Sequence, residues 1–289
     1  MSGFRGQMQM FLAGWRDDLH PAWRSVFSEV EPAHTAVLAD LLYHENEPVF
    51  PARLGQPHAS APAGAHLLRA FDRVAPEDVR AIIVGQDPYP NIARATGRAF
   101  EAGDLVALGQ TQPAPAKSLK RVMQCLATER SGRAGYTAND PAWSQVVTDA
   151  DREDLRLPGP RALFNYRENQ GLLLLNTARA PTHFEAGGAE EQLQGHIPLW
   201  EPVIHAVLKH LVNRESRSVV ILAWGGPARR AVEASGVKDL SRWNVTAAVA
   251  GHGHPAAANA DGPLLFQSPN FFWHANQFLV SMGGEVIVW

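Results

Sequence analysis

The sequence contains a single cysteine, Cys125, among its 289 residues. One thiol cannot form an intramolecular disulfide, and it cannot supply the ligands of an iron–sulfur cluster or of a thiolate zinc site. The chain also has no run of the roughly 20 apolar residues that a membrane span requires, and its opening apolar stretch is too short for a signal peptide. These absences predict a soluble cytoplasmic protein with no membrane partner.

An excess of charge of one sign is missing as well. The formal net charge is −3 and 45% of the residues are hydrophobic, which excludes a charged disordered chain and allows one sizeable core. Near-neutrality does not exclude DNA, because DNA is bound by a local basic face. The basic residues near glycines and predicted strand ends, which could form such a face, are Arg94, Arg98, Lys117, Lys120, Arg121, Arg179, Arg229 and Arg230.

Short apolar runs of the kind found in buried strands alternate with stretches of helical period. The runs are AIIVG at 81–85, LLLLN at 172–176, VVILAWG at 219–225 and VTAAVAGHGHP at 245–255; the helical stretches between and after them are 118–128, 200–213, 227–234 and 274–284. This alternation predicts a three-layer α/β/α fold with a short, mostly parallel, four-stranded central sheet.

We expect a single domain over 1–289, with a helical and loop-rich N-terminal part at 1–66 and the α/β core at 67–289. Helix-like spacing is also present within 14–30 and in LLRAFDRV at 67–74.

Polar side chains follow the predicted strands where each strand ends. Asp87 comes after the first strand, Asn176 ends the second and His254 follows the last. Ligands of open α/β sheets bind at this edge, and a carboxamide suits a planar amide-like ligand. Each residue also has an ordinary explanation, since Asp before Pro often caps a turn, an Asn often bonds local backbone, and a His taken alone is often an ordinary core or surface residue.

Two further features near the strand ends have alternative explanations. A metal site at His252 and His254 is the rival interpretation of the last strand, but no second cluster with metal-like spacing accompanies the pair. Tyr89 and Phe100 could stack on a base, or they could be ordinary core residues.

In this order, the motifs resemble the uracil-DNA glycosylase superfamily, and most closely its family 1. The similar segments are GQDPY at 85–89 (the water-activating motif), GRAF at 97–100 (base stacking), GLLLLNT at 171–177 (uracil reading), AWGG at 223–226 (phosphate contact) and HPAAAN at 254–259, where the family has HPSPLS. The resemblance covers nearly the whole chain.

The resemblance implies a metal-free, cofactor-independent and monomeric hydrolase. It would flip uracil out of single-stranded or duplex DNA, cleave the N-glycosidic bond and leave an abasic site. Asp87 would orient the attacking water and stabilise positive charge on the sugar, and His254 would donate a hydrogen bond to uracil O2.

The resemblance also implies which residues hold the substrate. Asn176 would read the uracil edge, Tyr89 would exclude the thymine methyl, Phe100 would stack on the base and Gln86 would contribute backbone contacts. The residues implied in DNA binding are Ser118, Gly226, Pro255, Ala256 and Ala258.

The sequence departs from the family pattern at two places. Pro90 stands where the family has a histidine, and Ala258 stands where it has a leucine that fills the space vacated by the flipped base. We therefore expect a relative preference for single-stranded DNA and weak binding of the phage-encoded, DNA-mimicking inhibitor. The alternatives are a protein that binds uracil or abasic DNA with weak turnover, and a glycosylase with a shifted base preference. The segment 127–145 has no assigned role.

Overall fold

The centre of the molecule is a parallel β-sheet. A computed structural model describes residues 2–43, 48–182, 191–215, 217–237, 247–257 and 271–289. Within these ranges the sheet has four strands in the order β2-β1-β3-β4, all parallel. The strands are β1 (Ala81–Gly85), β2 (Leu172–Asn176), β3 (Val219–Trp224) and β4 (Ala247–His252). This confirms the predicted fold class.

Helices cover both faces of the sheet. In the described residues they are α1 (Phe4–Phe11), α2 (Lys117–Ser131), α3 (Trp143–Asp149), α4 (Pro160–Glu168), α5 (Ile197–Val212), α6 (Gly226–Ala234) and α7 (Phe271–Ser281). A π-helical turn, Glu191–His196, leads into α5, and a short antiparallel pairing joins Ser2–Gly3 to Leu42–Tyr43. No helix in the described part of the chain is long and apolar enough to cross a membrane.

The period of two along each strand divides the core into two layers. Ile82, Val84 and their equivalents in β2 and β3 pack against α5 and the N-terminal part. Ala81 and Ile83, with their equivalents, pack against α2, α4 and α7. Because both faces are covered, the strands are continuous apolar runs.

Two predicted helical segments are not α-helices. Within 14–30 the structure has only 3₁₀ turns, Trp15–Asp18 and Pro21–Trp23, and the run 67–74 contains one 3₁₀ turn, Arg69–Phe71. Gly14 in a left-handed conformation and Pro21 interrupt the first segment. In the second, Leu67, Leu68, Ala70 and Phe71 are all buried, so the residues do not divide into one apolar and one polar helical face.

A buried ion cluster holds the loop segment 98–101, which lies between β1 and α2. Phe100 has a φ of +63°, which is a strained conformation for a residue with a side chain. Arg98 and Glu101 form hydrogen-bonded ion pairs across this residue, with Arg98 Nε 2.7 Å from Glu101 Oε2, and Arg98 also pairs with Glu168 on α4. The Ala99 N–H donates to the Leu174 carbonyl at 3.2 Å. The cluster and the strand therefore fix the Phe100 backbone together.

Replacing Arg98 with Met should destabilise the fold by about 3 kcal/mol, because Glu101 and Glu168 would lose their buried partner. Burial already raises the pKa of Glu168 to about 7, so protonation of this group would limit the loss at acidic pH. Denaturant unfolding at neutral pH measures the change. Arg152→Met, which removes a half-exposed ion pair with Asp154, is the matched control and should have a much smaller effect.

Candidate active site

The register of β1 and β2 brings Gly85 and Asn176 level with each other. A Cβ atom at position 85 would lie 2.7 Å from Asn176 Oδ1 and 3.1 Å from Phe100 Cε2. Only glycine allows the carboxamide and the aromatic ring to approach this closely. Asn176 is buried, and its Nδ2 has no hydrogen-bond partner among the described residues. The site therefore contains a buried, available amide donor beside an aromatic ring.

The ring of Phe100 belongs to a group of aromatic side chains at the carboxyl end of the sheet. Its centroid is 5.1 Å from that of Trp224 at the end of β3 and 6.1 Å from that of the His254 imidazole. Trp224 and Asn176 lie on the same face of the sheet. Trp224 packs in the layer of α2, α4 and α7, and Asn176 follows Leu172 and Leu174 of that layer at intervals of two residues. Phe100 and His254 thus lie on adjoining sides of one site.

Asp87 lies two residues beyond β1 and is partly buried. Its Oδ2 accepts hydrogen bonds from the amides of Gln86, at 3.3 Å, and Gln192, at 3.1 Å. Burial raises the pKa of Asp87 to about 6, although the two amide hydrogen bonds oppose the shift. The result is a carboxylate that is ionised near neutral pH and held by neutral partners.

His254 is held through its own turn. The Ala256 N–H donates to His254 Nδ1 at 3.1 Å, and the Ala257 N–H donates to the His254 carbonyl at 2.9 Å. Burial lowers the pKa of the imidazole, so the neutral form is favoured. Because Nδ1 accepts, the proton of the neutral ring is on Nε2, which makes Nε2 a donor. Gly225, with a φ of +100°, leaves room for the ring.

Tyr89 contacts a predicted DNA-binding residue. Its hydroxyl is 3.1 Å from Ser118 Oγ at the start of α2, and the Arg94 guanidinium lies 5.9 Å from the ring centroid. Burial raises the pKa of Tyr89 to about 12. Ser118 is itself buried, and the described partner of its hydroxyl is the tyrosine.

The other predicted DNA-binding residues lie along the same edge. Gly226 begins α6, buried Pro255 and partly buried Ala256 follow His254, and Ala258 is outside the described residues. His252 ends β4, with its ring centroid 5.2 Å from that of Phe271. No group of three potential His, Cys, Asp or Glu metal ligands occurs in the part of the chain that the structure describes.

The expectation of an exposed basic face is wrong for several of its members. Arg98, Arg121 and Arg179 are buried and bind carboxylates or backbone carbonyls. Arg94 is paired with Asp104. A basic residue near a strand end is therefore not enough to predict a phosphate contact.

Sequence reasoning missed two residues of the site. Gln192, in the turn before α5, reaches Asp87 from a segment without any motif, so no local signal could have identified it. Trp224 lies in the AWGG segment at 223–226, but the sequence analysis predicted no contact between its ring and that of Phe100.

The fold and the described residues define an α/β protein whose sheet edge carries a buried amide beside an aromatic ring, a carboxylate held by two amides and a neutral imidazole. No protein-family model matches the chain. Curated relatives include a uracil-DNA glycosylase of Mycolicibacterium vanbaalenii, 31% identical over 82% of this chain and 84% of the relative. A second is uracil-DNA glycosylase 1 of Streptomyces coelicolor, 29% identical over 96% of this chain and 94% of the relative.

Solved structures agree on the fold. The UNG crystal structure from Nitratifractor salsuginis is 19% identical, with a TM-score of 0.57 over 96% of this chain and 98% of that one. Mimivirus uracil-DNA glycosylase is 15% identical, with a TM-score of 0.60 over 100% of this chain and 94% of that one. The chain belongs to the uracil-DNA glycosylase family.

Asp87→Asn should stabilise the protein above pH 6. A carboxylate whose folded pKa is raised contributes its stability below the unfolded pKa and loses it as pH rises through the folded value. The shift from 3.8 to about 6 corresponds to about 3 kcal/mol. Denaturant unfolding at about pH 4.5 and pH 8 should show the variant gaining stability over the wild type between the two. Asp151→Asn, at an exposed carboxylate, is the control and should show no such gain.

Proposed function

We propose that this chain removes uracil from DNA by hydrolysing the N-glycosidic bond, with Asp87, Asn176 and His254 as the residues that act on the substrate. The observation that carries the proposal is the buried Asn176 amide, whose Nδ2 has no partner in the described residues and whose Oδ1 approaches Gly85 next to the Phe100 ring. Membership of the uracil-DNA glycosylase family supports the same activity. The product, an abasic site, is an intermediate of base excision repair.

Recognition of uracil would use both ends of the Asn176 amide. Nδ2 would donate to uracil O4 and Oδ1 would accept from N3–H, and cytosine presents the reverse pattern. A mismatched base would leave buried polar groups unpaired, which is strongly unfavourable. Phe100 would stack on the base, and the backbone of Gln86 would contact it. The Gln86 carbonyl is fixed by hydrogen bonds from Thr177 Oγ1, at 2.8 Å, and the Ala178 N–H, at 2.9 Å.

Exclusion of thymine would depend on Tyr89. A methyl group at C5 of the base would meet the tyrosine ring, and a clash of this kind discriminates against the wrong ligand. The hydrogen bond to Ser118 and the nearby Arg94 guanidinium restrain the ring, so it cannot move aside freely.

Bond cleavage would place charge on both sides of the breaking bond. The glycosidic pair of electrons leaves with uracil, the sugar becomes oxocarbenium-like, and the oxygen of a water molecule bonds to C1′. The Asp87 carboxylate would stabilise the sugar cation and accept the proton of that water, a role suited to its pKa of about 6. His254 Nε2–H would donate to O2 of the departing uracil anion.

We also propose that Pro255, Ala256, Ala258, Ser118 and Gly226 contribute to the DNA-binding edge and that the enzyme acts as a monomer. Gly226 begins α6 and Ser118 lies in the first turn of α2, two helix starts at the edge where Asp87 and His254 lie. Exposed backbone N–H groups at helix starts favour phosphate. Ser118 is buried and its hydroxyl is bonded to Tyr89, so it would support this edge by holding Tyr89 and not by touching phosphate with its hydroxyl.

Release of free uracil from a single-uracil oligonucleotide tests the proposed reaction. Wild type should release uracil, with kcat/KM rising as pH increases through about 6 because Asp87 must be ionised. Asp87→Asn should lower the rate by roughly 100-fold or more, the scale of a placed catalytic group. Asp151→Asn should retain wild-type activity.

The outcomes of this assay separate the alternatives. Tight binding of uracil DNA without release would identify a damage-binding protein, and release of another deaminated base in preference to uracil would identify a shifted specificity. Normal release by Asp87→Asn would mean that the reacting carboxylate lies elsewhere.

Ala258 would leave the space of the flipped base unfilled, so duplex DNA should be a poorer substrate relative to single strands. Ala258→Leu should lower the single-strand to duplex ratio of kcat/KM by about threefold to tenfold, since a filled stack contributes about 1 kcal/mol.

Two of the similar structures are mimivirus UNG variants in complex with UGI. The same variant should bind that inhibitor more tightly than the wild type. Ala257→Leu is the control for a leucine added elsewhere in the same turn. If Ala258→Leu changes the single-strand to duplex ratio of kcat/KM no more than this control does, the space left by Ala258 does not explain the ratio.

A further inference from the structure

The side chain of Arg121 connects helix α2 to the turn that follows His254. Its Nη1 donates to the Pro255 carbonyl at 2.9 Å and to the Ala257 carbonyl at 2.7 Å. The side chain is only 10% exposed, so these contacts are made largely out of water, where hydrogen bonds from a charged donor are strong. The turn itself closes with the hydrogen bond from the Ala257 N–H to the His254 carbonyl.

The peptide bond between Pro255 and Ala256 links Arg121 to the imidazole. Its carbonyl oxygen accepts from Arg121, and its N–H donates to His254 Nδ1 at 3.1 Å. A cation at the oxygen end of a peptide group fixes the direction of the group and polarises its N–H. Arg121 is therefore joined to the ring through one rigid, planar peptide unit.

Asp140 holds the other side of the same guanidinium. Its Oδ1 is 3.1 Å from Arg121 Nε, and Lys117 Nζ lies 3.9 Å from Oδ2. Asp140 belongs to the segment 127–145, which is itself pinned to α2 because Gln124 Nε2 donates to the Tyr136 and Asn139 carbonyls, both at 2.9 Å. This segment therefore orients Arg121.

We propose that Arg121 is a positioning residue: it fixes the Pro255–Ala256 peptide so that the Ala256 N–H holds His254 Nδ1 and leaves Nε2 as the donating nitrogen, with Asp140 setting the direction of the guanidinium. The effect on catalysis rests on the proposed function. The placement of the ring does not, because it can be measured in the free protein. Without Arg121 the peptide could rotate, and either nitrogen of His254 could carry the proton.

The test compares Arg121→Met with Arg121→Lys in the full chain. Nitrogen NMR of the histidine rings reports which ring nitrogen is protonated, and single-turnover uracil release reports the chemical step. Arg121→Met should lose the pure Nε2–H signature and lower the single-turnover rate about 10- to 100-fold, by analogy with the loss of an outer-shell partner that orients a metal-bound histidine. KM should change less than about threefold. Arg121→Lys should recover part of both, because an ammonium can donate to the same carbonyls.

Arg130→Met is the matched control. Arg130 lies on the same helix and also donates to backbone carbonyls, those of Leu155 at 3.1 Å and Arg156 at 2.8 Å, and none of its contacts among the described residues is with the turn after His254. Arg130→Met should lose about as much free energy of unfolding as Arg121→Met, while its His254 NMR signature and its rate of uracil release remain as in the wild type. If Arg121→Met and Arg130→Met give the same signature and the same rate, Arg121 is merely structural and the proposal is wrong.

Two further outcomes keep the test decisive. If Arg121→Met does not fold, Asp140→Asn replaces it, and a smaller shift of the signature in the same direction is expected; an unchanged signature would overturn the proposal. If the wild type releases no uracil but Arg121→Met still alters the His254 signature, the proposed function fails and the positioning role stands.

Discussion

The site depends on the absence of a side chain at Gly85. The register of β1 with β2 sets this residue beside Asn176, and the loop segment 98–101 brings the Phe100 ring against the same position. A methyl group would have to displace the amide or the ring, both of which are packed. Gly85 therefore sets the distance between the Asn176 amide, which would read the edge of a base, and the Phe100 ring, which would stack on its face. The sheet fixes the amide through the pairing of β1 with β2, and the loop segment 98–101 supplies the ring.

Buried arginines hold the loop segments at the site that the sheet does not fix. Arg98 stabilises the strained Phe100 turn, and Arg121 holds the turn after His254. A guanidinium suits these tasks because it offers several donors in a fixed plane and stays charged when buried. Arg98, Arg121 and Arg179 were expected on a basic DNA-binding face, but they are buried. A chain of net charge −3 that uses its strand-end arginines internally leaves fewer cations for phosphate, which is why the proposed DNA contacts are assigned to backbone N–H groups at helix starts.

The sequence was sufficient for the sheet and for the residues at its edge. Strands β1 and β2 could be predicted to the residue because both are apolar on both faces, and Asp87, Asn176 and His254 could be assigned to one edge of the sheet because each lies at or just after the end of a parallel strand. The helix in 14–30 failed because apolar spacing says nothing about how Gly14 and Pro21 break the chain. Gln192 and the Arg121 contacts could not be predicted, since they join segments far apart in sequence through side-chain geometry alone.

The electrostatics of the site follow from what surrounds Asp87. Its described hydrogen-bond partners are the amides of Gln86 and Gln192, and in the described residues no cation contributes to the shift of its pKa. A nearby guanidinium would lower that pKa and offset the carboxylate's field before any substrate is bound. Neutral amides restrain the carboxylate without neutralising it, so in the proposed reaction its field would act on the cation that develops in the sugar. Burial lowers the pKa of His254 and favours its neutral form, so in the proposed reaction the imidazole would donate to the departing anion without carrying a charge of its own in the resting site.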